Sequence, residues 1–315
     1  MLSTLFLGTP ELAVPFLERL HNRAKVVAVI TTPDQPAGRG YDVQPSSVKR
    51  AALALSLPVL QPESLKNAQV AEEIRGLGAE VGIVVAYGKL LPKDVLAIPK
   101  YGFLNVHFSL LPKYRGAAPM QWALIHGETE TGVTLFWLDE GMDTGPIFLQ
   151  RTIAIQPEDD ADSLRNKLVD LGVKTLDEAL DRIAQGRVER HPQTGTPSHA
   201  PLLKKEDGRI DWGKPAEAIV NQMRGMTPWP GVYTGKLKIL KAEASPPAPL
   251  PQGEGGRRPG EAKPGTVIGL VRGEGPVVKC GENSLTLLDV QPEGKKPMPA
   301  WSWWQGARLK IGDTL

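Results

Sequence analysis

The sequence holds a single cysteine, Cys280, among 315 residues. One thiol excludes an internal disulfide and any zinc site built on paired cysteines. Long apolar runs are missing as well. Stretches such as Val81–Ala86 fall far short of the roughly 20 residues that a membrane helix needs. The opening residues, MLSTLFLGTP, have no basic region, and their apolar run is too short for a secretory signal. These absences lead to the expectation of a soluble protein in a reducing cytoplasm, with no membrane partner. Two nucleotide signatures are also lacking. No G-x-x-x-x-G-K-[ST] loop occurs, and the turn after the first apolar run, Gly8-Thr9-Pro10-Glu11, has Pro10 and Ala13 where a dinucleotide turn needs glycine.

What is present is a chain long enough for two domains and, at 41% hydrophobic residues, apolar enough to bury a core in each. The formal net charge of +2 is unevenly spread. Residues 1–189 carry 19 Lys and Arg against 23 Asp and Glu, whereas 190–315 carry 18 against 12. A basic back half behind an acidic front half points to a polyanionic partner for the former.

Apolar runs and helical patterns alternate through the front half. Thr4–Leu7, Val26–Ile30, Pro58–Leu60, Val81–Ala86, Gly102–His107, Val133–Leu138 and Ile147–Ile155 read as strands. Helices are expected over Glu11–Asn22, Val48–Leu57, Val70–Leu77, Pro119–His126 and Asp162–Gln185. Strands without alternation, separated by helices, predict an α/β domain on a Rossmann-like parallel sheet over 1–189. The texture HPQTGTPSHAPLLKKED then breaks all periodicity, so 190–207 reads as a linker. One helix and about five short strands follow in 208–315, which predicts a small β-barrel. The Pro- and Gly-rich stretch 245–264 reads as a surface loop within it.

The chemically informative segment runs from Gly102 to Pro119. Asn105 and His107 sit two apart on an expected strand, so their side chains share a face. They also fall at a strand's C-terminal end, where open α/β sheets place ligands. An amide beside an imidazole suits a developing oxyanion. Alone, the pair is better read as a capping Asn and a buried, satisfied His. The loop Asp139-Glu-Gly-Met-Asp-Thr-Gly-Pro146 alters that balance. A carboxylate such as Asp143 held beside His107 would favour the charged imidazolium. The loop lacks the 12-residue ligand spacing of a calcium site. A third loop, Pro33 to Gly40, sets Arg39 between two glycines, where it reads equally as a solvated loop tip or as an arginine free to reach a phosphate.

Together, Asn105-Val-His107, Ser109-Leu-Leu-Pro112, Tyr114-Arg-Gly-Ala-Ala-Pro119 and Asp143-Thr-Gly145 resemble the folate-dependent formyltransferases. Three further features resemble the tRNA-directed members: the Gly8-Thr-Pro-Glu11 turn, the Pro-Ala-Gly-Arg-Gly insertion at 36–40, and a second domain with Gly208-Arg-Ile-Asp-Trp212 and Pro228-Trp-Pro230. Where such members often carry lysines after Gly40, this chain has Tyr41-Asp42-Val43. The resemblance implies Asn105, His107 and Asp143 as catalytic residues. It implies 10-formyltetrahydrofolate as co-substrate, held by Ser109, Leu110, Leu111 and Pro112 and by a loop bearing Tyr87, Gly88 and Leu91. It further implies initiator methionyl-tRNA as acceptor, contacted by Arg39 and by an oligonucleotide-binding-like C-terminal barrel, in a monomer that requires no metal. A sugar-nucleotide amine is the alternative acceptor.

Overall fold

A strand covered on both faces needs apolar residues at every position. Residues Val81–Val85 meet this, and all five are buried in the middle of a seven-stranded sheet. The computed structural model describes residues 1–37, 42–245 and 262–315, which divide into two units. The first comprises Met1–Pro119, Glu130–Ala154 and Arg165–Pro201, and the second Met120–Thr129, Ile155–Leu164 and Leu202–Leu315. The segment expected as a linker, 190–207, is thus shared between them, with 190–201 counted in the first.

In chain order the front half runs β1 (Ser3–Gly8), α1 (Val14–Arg23), β2 (Lys25–Ile30), β3 (Gln35–Ala37), β4 (Asp42–Gln44), α2 (Ser47–Ala54), β5 (Val59–Leu60), α3 (Ala68–Gly76), β6 (Val81–Val85) and α4 (Lys93–Leu96). It continues with β7 (Phe103–His107), β8 (Arg115–Gly116), α5 (Pro119–Ile125), β9 (Glu130–Trp137), β10 (Ile147–Ala154), α6 (Ala161–Ala184) and β11 (His199–Ala200). The large sheet has the order β10-β9-β7-β6-β1-β2-β5. Its strands are parallel from β7 to β5, while β9 runs antiparallel to both of its neighbours, β7 and β10, which refines the expected all-parallel sheet. The short connection between β9 and β10 accounts for their antiparallel pairing, because a parallel pair needs a crossover of a dozen or more residues.

Local chemistry places these elements. The Ser46 hydroxyl accepts from Lys49 N–H at 3.0 Å and caps α2. Gly82 on β6 lets the Phe103 ring lie against the backbone, for a Cβ there would come within 2.1 Å of that ring. One face of the sheet buries Leu5, Leu7, Ile30, Ile74, Val84 and Phe103. The hairpin of β3 and β4 was not expected, since Pro and Gly dominate its sequence. Residues 38–41, with Arg39, lie outside the described residues.

The second unit adds α7 (Ala216–Met226), β12 (Val232–Thr234), β13 (Leu237–Ser245), β14 (Val267–Val271), β15 (Gly275–Lys279), β16 (Ser284–Pro292), β17 (Met298–Pro299) and α8 (Ala300–Gly306). Its strands form an antiparallel sheet, β12-β13-β16-β15-β14, with β17 on β16. Five of the six strands match apolar runs in the sequence. The two-residue β17 does not. Most of the stretch 245–264, namely 246–261, lies outside the described residues.

Candidate active site

Strand β7 carries Asn105 and His107 between β6 and β9, pairing Asn105 with Val84 on one side and Phe136 on the other. Strand alternation turns both side chains to the same face. Asn105 is half-buried, and among the described residues its amide has no hydrogen-bond partner. It is therefore free to donate to a ligand.

His107 is buried, with Phe136 edge-on at 6.3 Å between ring centroids. Its Nε2 lies 2.9 Å from the Tyr114 carbonyl. A carbonyl only accepts, so this contact puts the ring proton on Nε2. Nδ1 then faces Asp143 Oδ2 at 3.7 Å, within ion-pair range but too long for a hydrogen bond. Burial holds the imidazole below its ordinary pKa of 6.5, and the opposing pull of Asp143 and the Tyr114 carbonyl does not restore it. His107 is thus neutral at neutral pH. Burial of the ring opposes the charged form that the sequence leads one to expect beside Asp143.

Asp143 adopts φ +54°, in the left-handed region, which costs a non-glycine residue about 1 kcal/mol. Surrounding contacts hold it there. Gly116 N–H donates to its Oδ2 at 2.7 Å. Gly116 itself has φ +123°, and a Cβ on it would approach the Ala200 carbonyl to 2.7 Å, so glycine is required. Asp139, in the same loop, has a different task. Asp139 Oδ1 accepts from Gly141 N–H at 3.0 Å and from the Thr144 hydroxyl at 2.6 Å, tying the loop to itself.

The run Ser109–Pro112 turns inward. Ser109 is fully buried, its hydroxyl donating to the Lys113 carbonyl at 2.6 Å. The Thr134 hydroxyl donates to the Ser109 carbonyl and accepts from Leu111 N–H. Leu111 and Pro112 are buried, and Leu110 packs beside Gly132, where a Cβ would meet it at 2.5 Å. Tyr87 and Leu91 likewise belong to the core, at 2% and 7% exposure. Around them Gly88, with φ +83°, lets the chain turn, and Leu90 is exposed. An open groove of about 490 Å³ lies nearby, lined by Lys93, Leu96 and Ala97 and by Leu138–Gly141. Its residues from α4 were not singled out in the sequence.

Sequence reasoning also missed the segment 189–200. The Glu189 carbonyl accepts from Trp137 Nε1–H at 2.9 Å, and the Arg190 guanidinium lies 4.6 Å over the Trp137 ring. His191 pairs with Ile147. The Gln193 amide donates at 2.8 Å to both the Asp143 and Gly145 carbonyls. The Ser198 hydroxyl accepts from Tyr114 N–H, and β11 pairs with β8.

With this geometry in place, comparison with known proteins gives a consistent answer. The formyl transferase family model matches residues 4–180, and the model of the formyl transferase C-terminal domain matches 202–308. A methionyl-tRNA formyltransferase of Thermus thermophilus is 45% identical, covering 98% of this chain and 98% of its own. One from Geobacter sulfurreducens is 43% identical over 100% of this chain and 96% of its own. The chain belongs to the methionyl-tRNA formyltransferase family. Among solved structures, an N-formyltransferase from Helicobacter canadensis in complex with folinic acid and dTDP-3-aminofucose superposes with a TM-score of 0.66. It is 20% identical, covering 91% of this chain and 99% of its own, so it supports the fold alone. Membership of the methionyl-tRNA formyltransferase family, established at more than twice that identity, disfavours the sugar-nucleotide acceptor. Among the described residues no helix is long and apolar enough to cross a membrane.

Proposed function

We propose that this chain transfers the formyl group of 10-formyltetrahydrofolate to the α-amino group of initiator methionyl-tRNA. The observation that carries the reading is the geometry of one strand face: His107 Nδ1 opposite Asp143 Oδ2 at 3.7 Å, beside the Asn105 amide, which has no partner among the described residues. The amine attacks the formyl carbon, and the carbonyl oxygen becomes an oxyanion. Asn105 donates its amide N–H to that oxygen. His107 Nδ1 takes the proton released by the amine, and the imidazolium so formed faces two acceptors, the Asp143 carboxylate and the Tyr114 carbonyl. The tetrahedral centre then collapses. Its bond to N10 of the folate breaks, and the proton passes from Nδ1 to N10. One N–C bond forms, one breaks, and one proton moves between the two nitrogens. The sequence of steps needs neither a metal nor a nucleotide.

In this reading the pterin occupies the groove between α4 and Leu138–Gly141. The run Ser109–Pro112 and the loop anchored by buried Tyr87 and Leu91 shape its walls through backbone position. The basic excess of 190–315 holds tRNA phosphates with salt-sensitive affinity, and Arg39 adds a further contact. The C-terminal sheet then acts as the oligonucleotide-binding-like module, in a cytoplasmic monomer. The test is formyl transfer from 10-formyltetrahydrofolate to charged initiator tRNA, with a sugar-nucleotide amine as competitor. Transfer to the tRNA supports the reading, and preferential transfer to the sugar amine overturns it.

A further inference from the structure

We infer that Gln193 is a positioning residue for the reaction, a side-chain clamp that fixes where the Asp143 carboxylate stands against His107. The inference rests on the catalytic reading above and goes beyond it. Gln193 lies in a stretch, Pro192–Pro197, whose other residues are exposed, yet its own side chain is half-buried and turned to the site. Both hydrogens of its amide are used. One goes to the Asp143 carbonyl and the other to the Gly145 carbonyl, each at 2.8 Å. A planar NH₂ group has two donors in fixed geometry, so bridging carbonyls two residues apart fixes the backbone between them. That backbone includes Asp143 at φ +54°, a conformation its neighbours must impose. The remaining Gln193 atom, Oε1, accepts from Arg115 Nε at 3.2 Å and from a terminal nitrogen of the same guanidinium at 2.6 Å.

Arg115 completes the arrangement. It heads β8, and its neighbour Gly116 donates the N–H that Asp143 Oδ2 accepts. Gln193 therefore links the loop that supplies the carboxylate to the strand that supplies the carboxylate's own hydrogen bond. A tilt of the loop would change the separation between Asp143 Oδ2 and His107 Nδ1 without removing either group.

Two substitutions separate this role from a general stabilising one. Gln193→Ala removes the whole clamp. Gln193→Glu keeps an acceptor for Arg115 but loses both donors and sets a carboxylate against two carbonyls. The measurements are steady-state formylation of charged tRNA, thermal melting, and the His107 midpoint by nitrogen NMR of histidine-labelled protein. Wild-type turnover under the same conditions tests the functional reading itself, and only variant-to-wild-type ratios bear on Gln193. For Gln193→Glu we expect kcat to fall about 10- to 100-fold, with KM for folate and tRNA within about twofold. The His107 midpoint should move as Asp143 shifts against the ring. Gln193→Ala should behave the same way if it folds, and Gln193→Glu alone decides the matter if it does not. Wild-type kcat and an unmoved His107 midpoint in Gln193→Glu overturn the inference. So does a loss confined to KM or to melting temperature.

Discussion

Ser109–Pro112 and 189–200 border the same catalytic pair and have opposite textures. The first is a compact apolar motif, the second a polar stretch rich in Pro, Gly, Ser and Thr. Their roles are the reverse of what those textures suggest. The apolar motif hides its side chains: Ser109 is spent on the Lys113 carbonyl, and Leu111 is 3% exposed. The polar stretch sends Gln193 and Ser198 to hold the Asp143 loop and Tyr114. A recognisable motif beside a site can thus be scaffold, while an aperiodic segment can deliver the polar contacts that aim a catalytic group.

Asn105→Ala sets the scale for that comparison. Removing an oxyanion donor should lower kcat by about 10²–10³. Because the Asn105 amide has no partner among the described residues, melting temperature should barely change. Single-turnover kinetics beside a thermal melt reads both quantities. Near-normal turnover would remove Asn105 from the mechanism.

Leu111→Ala should give the opposite profile. A buried leucine cut to alanine costs about 2–5 kcal/mol of stability. The folded fraction should turn over within a few-fold of wild type if the motif is scaffold. A fall in kcat at unchanged stability would show that the motif touches the reaction after all. Denaturant unfolding and active-site titration together separate the outcomes.

How far the sequence could be read follows the same division. Strand β7 was legible because an unbroken apolar run ends in two polar side chains on one face. Asp143 was legible from the glycines around it. The hairpin of β3 and β4 was hidden because Pro36 in its first strand reads as a loop residue, though pairing with Val43 accommodates it. β9 begins at Glu130, ahead of the expected Val133, because Glu130, Thr131 and Gly132 find antiparallel partners in β10. The clamp was illegible for another reason. A side-chain amide bridging two carbonyls 48 and 50 residues away leaves no periodic trace. The charge state of His107 was also out of reach, since it depends on how completely the fold encloses the ring.

Titration tests that last point. Burial lowers the His107 pKa in the folded protein, so below about pH 6.5 an unfolded chain takes up a proton that the folded chain refuses. The contribution of His107 to stability is therefore complete above pH 6.5. It is lost as pH falls through the lower, folded value. His107→Gln should flatten this part of the stability profile. Asp143→Asn removes an attraction that raises the pKa, so the NMR midpoint should move lower still. A wild-type midpoint above about 7 would make the charged form the resting state and reverse the proposed direction of proton transfer.

Tyr87 offers the smallest effect and the finest distinction between scaffold and ligand contact. Like Leu111 it lies in a run implied to hold folate, and like Leu111 it is buried, at 2% exposure. Its hydroxyl is enclosed with no hydrogen-bond partner among the described residues, and burial raises its pKa. An enclosed, unpaired hydroxyl is a cost of about 1–3 kcal/mol to the folded state. Replacing it by hydrogen leaves the ring packing in place. Tyr87→Phe should therefore be neutral or stabilising by up to about 1 kcal/mol, with folate-analogue affinity unchanged. If instead the hydroxyl meets the ligand when the groove fills, the same substitution should weaken analogue binding while free-protein stability still holds or rises. Calorimetric binding beside a denaturant curve distinguishes the cases, because scaffold predicts a change only in the second measurement. A loss of affinity would move Tyr87 from the walls of the groove into contact with its occupant. The Val85–Pro92 loop would then read a ligand by side chain, as 189–200 reaches the catalytic loop.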